Sequence, residues 1–320
     1  MSKKVILCIL ILLSLSLFLL GCQDFLKPSP SREEDKPPLA ESQIPTNVSE
    51  ELVPDITNIA LFGIDTGREK YEAIHSDAIM ILSIDRIHKK IKLSSLMRDT
   101  YVEIKGKKNN KLNTAYAMGG PELAVETIRE NFGIDIEDYV TVDFVGLSHI
   151  IDALGGVDID VKEKEIGEIN KYMKEVAEIK KEKSTPITES GMQLLNGNQA
   201  VAYGRIRKVG DGDFDRTERQ KNLLTALYHK ITDQEVKKYP AVAAALFPYV
   251  ETSMSPSEIL SLGMDVLKLD ISEVDWYRFP LDGYYKGKII DKVWYLSADL
   301  EATAEHVHKF IYDDIKEPPL

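Results

Sequence analysis

Two aspartates and an arginine stand at the ends of apolar runs, where side chains of an α/β sheet often meet a ligand. Asp65 follows a run that ends at Ile64, Asp77 directly precedes another run, and Arg98 follows a third. Carboxylate oxygens are ligands that Mg2+ prefers, and a guanidinium donates to phosphate oxygens in pairs. A single acid at such a position is more often a turn residue. The hypothesis of a phosphate site at this edge of the sheet therefore rests on several candidate residues occurring together, and not on any one of them.

Further basic residues lie later in the chain. Arg205 and Arg207 are two residues apart in a predicted short strand, so that their side chains project from one face. In the helix predicted to follow, Asp215 and Glu218 form a capping box. A rotation of about 100° per residue places four residues on the buried stripe of that helix: Arg216, Gln220, Leu223 and Leu227. Arg219 lies near the border of the stripe.

A buried arginine in the first turn of a helix opposes the helix dipole and is costly unless an anion meets it. The stripe therefore indicates a phosphate site. Two carboxylates with several guanidinium groups suit a diphosphate, because the acids can hold Mg2+, or alternatively Mn2+, against the phosphate oxygens. The arginines then neutralise the remaining charge as a bond to phosphorus breaks.

Several other function classes are excluded. The sequence contains no P-loop, dinucleotide-binding, zinc-protease or Gly-x-Ser-x-Gly motif. The acidic run that starts at Asp211 resembles a calcium loop, but Arg216 stands where that loop needs glycine. Cys8 and Cys22 are the only cysteines, so neither a disulfide framework nor a four-cysteine zinc site is possible. The 40 Lys and Arg against 52 Asp and Glu give a net charge of −12, which argues against a general nucleic-acid binder.

The elements that must position these side chains alternate between strand and helix. Three runs of strand length are apolar on both faces, as is typical of central strands covered by helices: residues 59–64, 78–84 and 91–96. A helix is predicted from Pro121 to Phe132, with Gly133 directly past its end. Residues 162–183 predict a solvated amphipathic helix or, alternatively, a lid over an apolar groove. The pattern predicts an α/β fold.

The N-terminal residues predict export. Residues 1–22 have the basic start and apolar run of a signal peptide, and they end in a lipobox with Cys22 as the lipidated residue. An uncleaved N-terminal membrane helix is the alternative. Residues 23–50 are rich in proline and polar residues and predict a disordered linker. Residues 51–315 are then one globular domain, held at the extracellular face of the cell membrane by either anchor.

Taken together, the segments resemble the LytR–CpsA–Psr family of bacterial cell-wall enzymes. The matching stretches, in chain order, are residues 58–66, 76–80, 93–101, 111–120, 151–158, 195–197 and 202–220. The Met-Arg-Asp-Thr sequence around Arg98 and the Asp-Gly-Asp-Phe sequence at Asp211 are the most specific of them. The resemblance implies a three-layer α-β-α sandwich around a central mixed sheet. It also implies a single catalytic domain with an apolar groove for a polyprenyl chain.

The resemblance implies transfer of an anionic glycopolymer, such as teichoic acid, from undecaprenyl diphosphate to peptidoglycan. By position, Asp65 and Asp77 correspond to the Mg2+ ligands, and together with Arg98 they form the implied catalytic set. The implied substrate-binding residues are His75, Arg98, Arg205, Arg207, Arg216, Arg219 and Gln220.

Two departures from the family's pattern fall in one segment. His75 stands where the family usually has an arginine, two residues before the second acid, and the arginine that usually follows the first acid is displaced to Arg68. A protonated imidazole can still donate to a phosphate. Two other functions stay open: a regulator that binds polyprenyl phosphates without turnover, and a polyprenyl-diphosphate hydrolase.

Overall fold

The computed structural model describes residues 55–66, 73–232, 247–269 and 273–318. Within these ranges, no helix is both long enough and apolar enough to cross a bilayer. The predicted export signal, the predicted linker and Arg68 lie outside the described residues, so these expectations remain predictions.

The strands are numbered in chain order. They are β1 (Ile56–Ile64), β2 (Ser76–Asp85), β3 (Lys90–Leu96), β4 (Tyr101–Val102), β5 (Asn110–Lys111), β6 (Asp138–Asp143), β7 (Val157–Val161), β8 (Gly191–Leu195), β9 (Val250–Thr252), β10 (Glu273–Phe279), β11 (Tyr285–Ile290) and β12 (Val293–Ala298). Six of them form one sheet in the order β10-β3-β2-β1-β6-β9. β1 pairs with β6 and β3 with β10 in parallel, whereas the other neighbours are antiparallel, so the sheet is mixed.

The helices flank this sheet and extend beyond it. They are α1 (Leu112–Phe132), α2 (Phe144–Ala153), α3 (Ile166–Lys180), α4 (Gly197–Arg205), α5 (Asp213–Thr232), α6 (Pro256–Lys268) and α7 (Leu300–Tyr312). The apolar runs predicted as central strands correspond to β1, β2 and β3. Their two apolar faces are explained by the helices that cover the sheet on both sides.

Side chains along β1 point alternately into two apolar cores, one on each face of the sheet. Ala60 and Phe62 point into a core shared with α1 and α7. Ile59 points the opposite way, into a core shared with α6. Burial on both faces explains why β1 lacks the polar alternation of a half-exposed strand. The predicted three-layer α/β sandwich around a mixed sheet is confirmed, whereas the apolar groove for a lipid remains a prediction.

A third apolar cluster lies beside the sheet. It joins helices α2 to α5 with the two-stranded ribbon of β7 and β8. α3 contributes Ile169, Met173 and Val176 to this cluster, which confirms the amphipathic helix predicted within residues 162–183. The cluster matters for function because α4 and α5 carry most of the predicted phosphate-binding arginines.

The predicted helix from Pro121 to Phe132 is present, and Gly133 ends it in the left-handed conformation at φ 66°. The helix begins earlier, however, at Leu112, and is kinked at Gly119 and Gly120. The sequence pattern missed the first half because the two glycines and the proline interrupt the helical period.

Two predicted local structures near the arginines are wrong. Arg205 and Arg207 do not lie in a strand: Arg205 is the last residue of α4, and Arg207 lies in the loop that follows. The capping box at Asp215 is also absent, because α5 already begins at Asp213 and the Asp215 carboxylate accepts the Asp211 amide at 3.0 Å.

Candidate active site

Antiparallel pairing brings the two predicted metal ligands to one end of the sheet. Ile64, the last residue of β1, pairs with Ser76, the first residue of β2. Asp65 directly follows β1 and Asp77 is the second residue of β2, so both carboxylates lie at this end. β3 runs antiparallel to β2, and Arg98, two residues past the end of β3, therefore reaches the same place.

Asp77 is the centre of the site because three arginines converge on it. Arg98 donates to Oδ1 of the carboxylate, and Arg207 donates to Oδ2 at 2.9 Å. Arg216 donates from Nη2 to the backbone oxygen of Asp77 at 2.8 Å. These arginines come from the turn after β3, the loop after α4 and the first turns of α5. The fold thus gathers three positive charges, one from the turn after β3 and two from the loop and helix that follow α4.

Burial by itself would raise the pKa of Asp77, because desolvation disfavours the charged carboxylate. The charges of Arg98, Arg216 and Arg207 outweigh this effect, and the pKa lies below its usual value of 3.8. Asp77 is therefore ionised at neutral pH, as a metal ligand must be.

Asp65 is held by one arginine from α4. Nη2 of Arg205 lies 3.1 Å from Oδ2 of Asp65 and 3.5 Å from Oε2 of Glu175. The guanidinium also lies over two aromatic rings, 5.0 Å from the ring centre of Phe144 and 5.4 Å from that of Tyr172. Aromatic faces attract a cation and hold its plane in place.

Three residues around Arg205 were not predicted from the sequence: Phe144, Tyr172 and Glu175. Tyr172 and Glu175 are three residues apart on α3 and thus lie on one face of that helix. Charged residues surround them in the sequence, so the pattern alone did not separate this face from the solvated one. Only the packing of α3 against α4 shows that these side chains form a wall beside Arg205.

The burial of Arg216 confirms the stripe that helical periodicity predicted for α5. Arg216 is only 3 % exposed, and Leu223 and Leu227 are buried further along the same helix. Gln220 lines a cleft together with Asp77, Arg205, Arg207 and Arg216. An arginine in the first turns of α5 thus meets the backbone carbonyl of Asp77 inside the protein, at the wall of this cleft.

Arg219 lies on another side of α5 from this cleft. Its Nε donates to Oε1 of Glu165 at 2.8 Å, and both residues are buried. Its terminal nitrogens donate to the backbone oxygens of Ile206 at 3.3 Å and Val209 at 2.8 Å. These contacts hold the loop that carries Arg207 and favour a supporting role for Arg219, whereas the substrate-binding role implied by the resemblance stays a prediction.

His75 is half-buried and directly precedes β2. Its Nδ1 is buried and has no hydrogen-bond partner in the part of the chain that the structure describes. His75 thus lies two residues before Asp77 in the chain, but its Nδ1 forms no hydrogen bond with either aspartate in the described part of the chain.

The donor set at this edge fits a divalent cation. Asp65 and Asp77 offer carboxylate oxygens, the hard ligands that Mg2+ and Mn2+ take, and Asp77 is held in the ionised form that binding requires. Each carboxylate is also paired with arginine. A metal bound to the carboxylates and a phosphate bound to the arginines would replace these ion pairs. The residues that would hold the ion are Asp65 and Asp77.

Comparison with known proteins agrees with the geometry. The model of the LytR_cpsA_psr family matches residues 28–310. The regulatory protein MsrR of Staphylococcus aureus strain COL is 36 % identical over 214 residues, which are 66 % of this chain and 61 % of MsrR. The polyisoprenyl-teichoic acid–peptidoglycan teichoic acid transferase TagV of Bacillus subtilis strain 168 is 32 % identical over 241 residues, 71 % of this chain and 59 % of TagV. The chain therefore spans about three fifths of the length of these relatives.

Solved structures show the same fold. The crystal structure of B. subtilis TagV has a TM-score of 0.63 at 29 % identity, covering 80 % of this chain and 97 % of the TagV structure. TagT bound to LI-WTA has a TM-score of 0.62 at 27 % identity, covering 81 % of this chain and 90 % of TagT. The family match covers most of the chain, and these two structures share its fold. This chain therefore belongs to the LytR_cpsA_psr family.

Proposed function

We propose that this chain is a phosphotransferase of the extracellular membrane face that moves an anionic glycopolymer from undecaprenyl diphosphate to peptidoglycan, with Mg2+ or Mn2+ as cofactor. The convergence of Arg98, Arg207 and Arg216 on Asp77 carries the proposal. Three guanidinium groups around one carboxylate, with Asp65 and Arg205 beside them, match the charge and the many acceptor oxygens of a metal-bound diphosphate. The names of TagV and related transferases support the same substrate class.

The ion pairs in the site are well suited to exchange. Arg98 and Arg207 bind carboxylate oxygens of Asp77, and a phosphate presents the same kind of acceptor at similar distances. Asp65 and Asp77 would hold a divalent ion, which would supply charge neutralisation at the diphosphate oxygens. Arg98 and Arg207 would then donate to the phosphates in place of the Asp77 carboxylate.

The transfer is a displacement at phosphorus. An acceptor hydroxyl of peptidoglycan forms a bond to the sugar-side phosphorus while the bond from that phosphorus to the bridging oxygen breaks. The hydroxyl proton passes to a carboxylate of the site, and undecaprenyl phosphate leaves with the bonding pair. Arg98, Arg205 and Arg207 stabilise the charge that builds up on the phosphoryl oxygens and on the leaving group.

The predicted anchor at residues 1–22, either a lipidated Cys22 or an uncleaved helix, would suit the same function. Both substrates are presented outside the membrane, and the donor's chain is embedded in it. A linker over residues 23–50 would let the domain reach the donor phosphates and the wall, since an extended chain spans about 3 Å per residue.

The experiment uses the full chain in detergent with a lipid-diphosphate-linked saccharide and peptidoglycan oligomers. Mass spectrometry detects the phosphodiester-linked product with Mg2+, with Mn2+ and with a chelator. Product that requires the metal and disappears in Arg98→Ala supports the proposal. Arg86→Ala is the matched control, because Arg86 binds Thr57 and Asp265 at the opposite end of the sheet.

Two other outcomes would contradict transfer. Lipid that binds tightly without any product would assign the chain to regulation, in keeping with the name of MsrR. Saccharide phosphate released in the presence of acceptor, but never coupled to it, would assign it to diphosphate hydrolysis.

A further inference from the structure

The hairpin of β11 and β12 exposes a group of large apolar side chains at its tip. Ile289 is 72 % exposed, and Trp294, its direct cross-strand partner, is 45 % exposed. Val293 beside them is also exposed. Exposure of large apolar side chains to water is unfavourable. Their clustering on a protruding tip therefore indicates an interaction surface.

The shape of the tip follows from its sequence. Asp291 and Lys292 form a two-residue turn, both with positive φ, of 49° and 68°. The indole of Trp294 lies against β11 at Gly287, where a Cβ atom would come within 2.8 Å of the indole nitrogen. Glycine at this position therefore allows the tryptophan to lie across the hairpin. The apolar residues are held in place before any partner arrives.

The charge at the tip has the opposite sign to that of the protein. Three exposed lysines, Lys286, Lys288 and Lys292, carry no ion pair within the described residues, and Asp291 is the one acid of the tip, although the chain as a whole has a net charge of −12. Lys286 and Lys288 lie on the face of the hairpin opposite to Ile289 and Trp294, so the tip is apolar on one face and basic on the other. Exposed tryptophan and aliphatic residues among lysines are typical of surfaces that enter the interface of an anionic bilayer.

A second exposed apolar ribbon shows the contrast. Met192 and Leu194 on β8 are 70 % and 57 % exposed. Their direct cross-strand partners are Asp160 and Asp158, which are exposed acids. An anionic bilayer would repel this ribbon. Of these two exposed apolar ribbons, the β11–β12 tip is the one that carries more lysines than acids.

The base of the hairpin adjoins the candidate active site. The amide of Leu296 donates to the backbone oxygen of Asp99 at 2.9 Å, next to Arg98. Lys111 lies 2.7 Å from the Asp99 carboxylate and 5.9 Å from the ring centre of Trp294. A surface that holds the tip would therefore lie close to the arginines of the site.

We propose that the tip of the β11–β12 hairpin, formed by Lys286, Lys288 and the residues Ile289–Trp294, binds the surface of an anionic lipid bilayer. Ile289 and Val293 favour lipid over a glycan, because aliphatic side chains gain free energy in the acyl region and offer no hydrogen bonds to sugar hydroxyls. The proposal concerns binding alone and requires neither substrate nor transfer.

Trp294 is a built-in probe, since Trp276 is the only other tryptophan of the chain. The full chain with Trp276→Phe is reconstituted through its own N-terminus into vesicles that contain brominated lipids. Vesicles of phosphatidylglycerol are compared with vesicles of phosphatidylcholine, so the N-terminal anchor is the same in both. We expect quenching and a blue shift of Trp294 emission on the anionic vesicles only.

The variants test charge and position separately. Replacing Lys286, Lys288 and Lys292 by glutamine should move half-maximal quenching to higher phosphatidylglycerol content, because each lysine near an anionic surface contributes about fivefold to binding. The double variant Met192→Ser, Leu194→Ser is the matched control and should leave the quenching unchanged. Should Trp276→Phe not fold, the same quenching is obtained as the difference between the unmodified chain and Trp294→Phe.

Three results would overturn the proposal. These are no quenching of Trp294 on phosphatidylglycerol vesicles, equal quenching on both kinds of vesicle, and quenching unaffected by loss of the three lysines. An emission shift that appears only with peptidoglycan oligomers, and never with vesicles, would assign the tip to the glycan instead.

Discussion

Arg219 and Glu165 form a buried ion pair, 2.8 Å from Nε to Oε1, beneath the loop that carries Arg207. The remaining donors of Arg219 bind the backbone oxygens of Ile206 and Val209, which lie on either side of Arg207 in the chain. Because the loop presents Arg207 to Asp77, the ion pair fixes a residue of the site without touching the site itself. We therefore expect Arg219 to act by positioning Arg207.

Arg219→Met should lower the free energy of unfolding by about 3–5 kcal/mol, because the buried carboxylate of Glu165 loses its partner. The double variant with Glu165→Met should recover most of that loss, since no unpaired charge remains. Its activity should nevertheless stay low, because the carbonyls of Ile206 and Val209 still lack their donor. Chemical unfolding and the transfer assay on both variants separate stability from positioning. Full activity in the double variant would contradict the positioning role.

Asp77→Asn should destabilise the protein at neutral pH by about 3–5 kcal/mol, since Arg98, Arg207 and Arg216 lose the charge that compensates them. The pKa of Asp77 is lowered in the folded state, so its contribution to stability is fully present above the unfolded value of 3.8. The contribution is lost as the pH falls through the folded pKa. The gap between wild type and Asp77→Asn in the free energy of unfolding should therefore narrow only below about pH 4.

Denaturant unfolding of both proteins over a series of pH values measures this gap. Asp291→Asn, at an exposed turn, is the control and should follow the wild type throughout. A gap between wild type and Asp77→Asn that already closes near neutral pH would show that the arginines do not hold the carboxylate ionised.

Gly197→Ala should destabilise the junction of α2 and α4. A Cβ atom at this position would lie 2.0 Å from the backbone oxygen of Ser148, so the two helices would have to separate. We expect a cost of about 1–3 kcal/mol and weaker substrate binding, because α4 ends in Arg205. Gly167→Ala in α3 is the control: its Cβ meets no atom within 4 Å, and the substitution should be neutral or slightly stabilising. Equal stability of both variants would contradict the close approach.

His75→Arg should strengthen binding of a lipid diphosphate by about tenfold, because a guanidinium adds a permanent charge and paired donors beside Asp77. Equilibrium binding of the lipid in the presence of Mg2+ measures the change. His229→Arg adds a charge at an exposed position near the other end of α5 and should have no effect. Unchanged or weaker binding by His75→Arg would show that position 75 does not face the phosphates.

Features set by local periodicity were predictable from the sequence. The alternation of apolar runs was sufficient for the α/β class, and a rotation of about 100° per residue was sufficient to bury Arg216 with Leu223 and Leu227. Both follow from interactions between residues that are close along the chain, which a single sequence displays directly.

Helix α4, which carries Arg205, shows where local periodicity does not predict the secondary structure. The run from Ala200 to Tyr203 is short and apolar, and such a run fits a buried strand as well as a buried helix. The deciding signal was the capping box of Asn196 and Gln199, whose side chains exchange hydrogen bonds with each other's backbone amides. Arg205 and Arg207 still reach one site, but through the end of a helix and a loop.

The individual contacts between distant segments that support the site were not predictable from the sequence. Glu165 and Arg219 meet only after α3, α4 and α5 have packed, and neither residue type nor spacing marks them as a pair. The same holds for Phe144 and Tyr172 around Arg205. Such contacts are properties of the tertiary structure, and they decide which arginines face the cleft and which support it.

The most direct measurement counts two products of one reaction. The full chain is incubated with lipid-diphosphate-linked saccharide, peptidoglycan oligomers and Mg2+, and mass spectrometry quantifies undecaprenyl phosphate and the phosphodiester-linked peptidoglycan. Displacement at the sugar-side phosphorus predicts one undecaprenyl phosphate for each phosphodiester formed, and neither product in Arg98→Ala. Undecaprenyl phosphate released without phosphodiester, or donor recovered intact from the unmodified protein, would contradict the transferase.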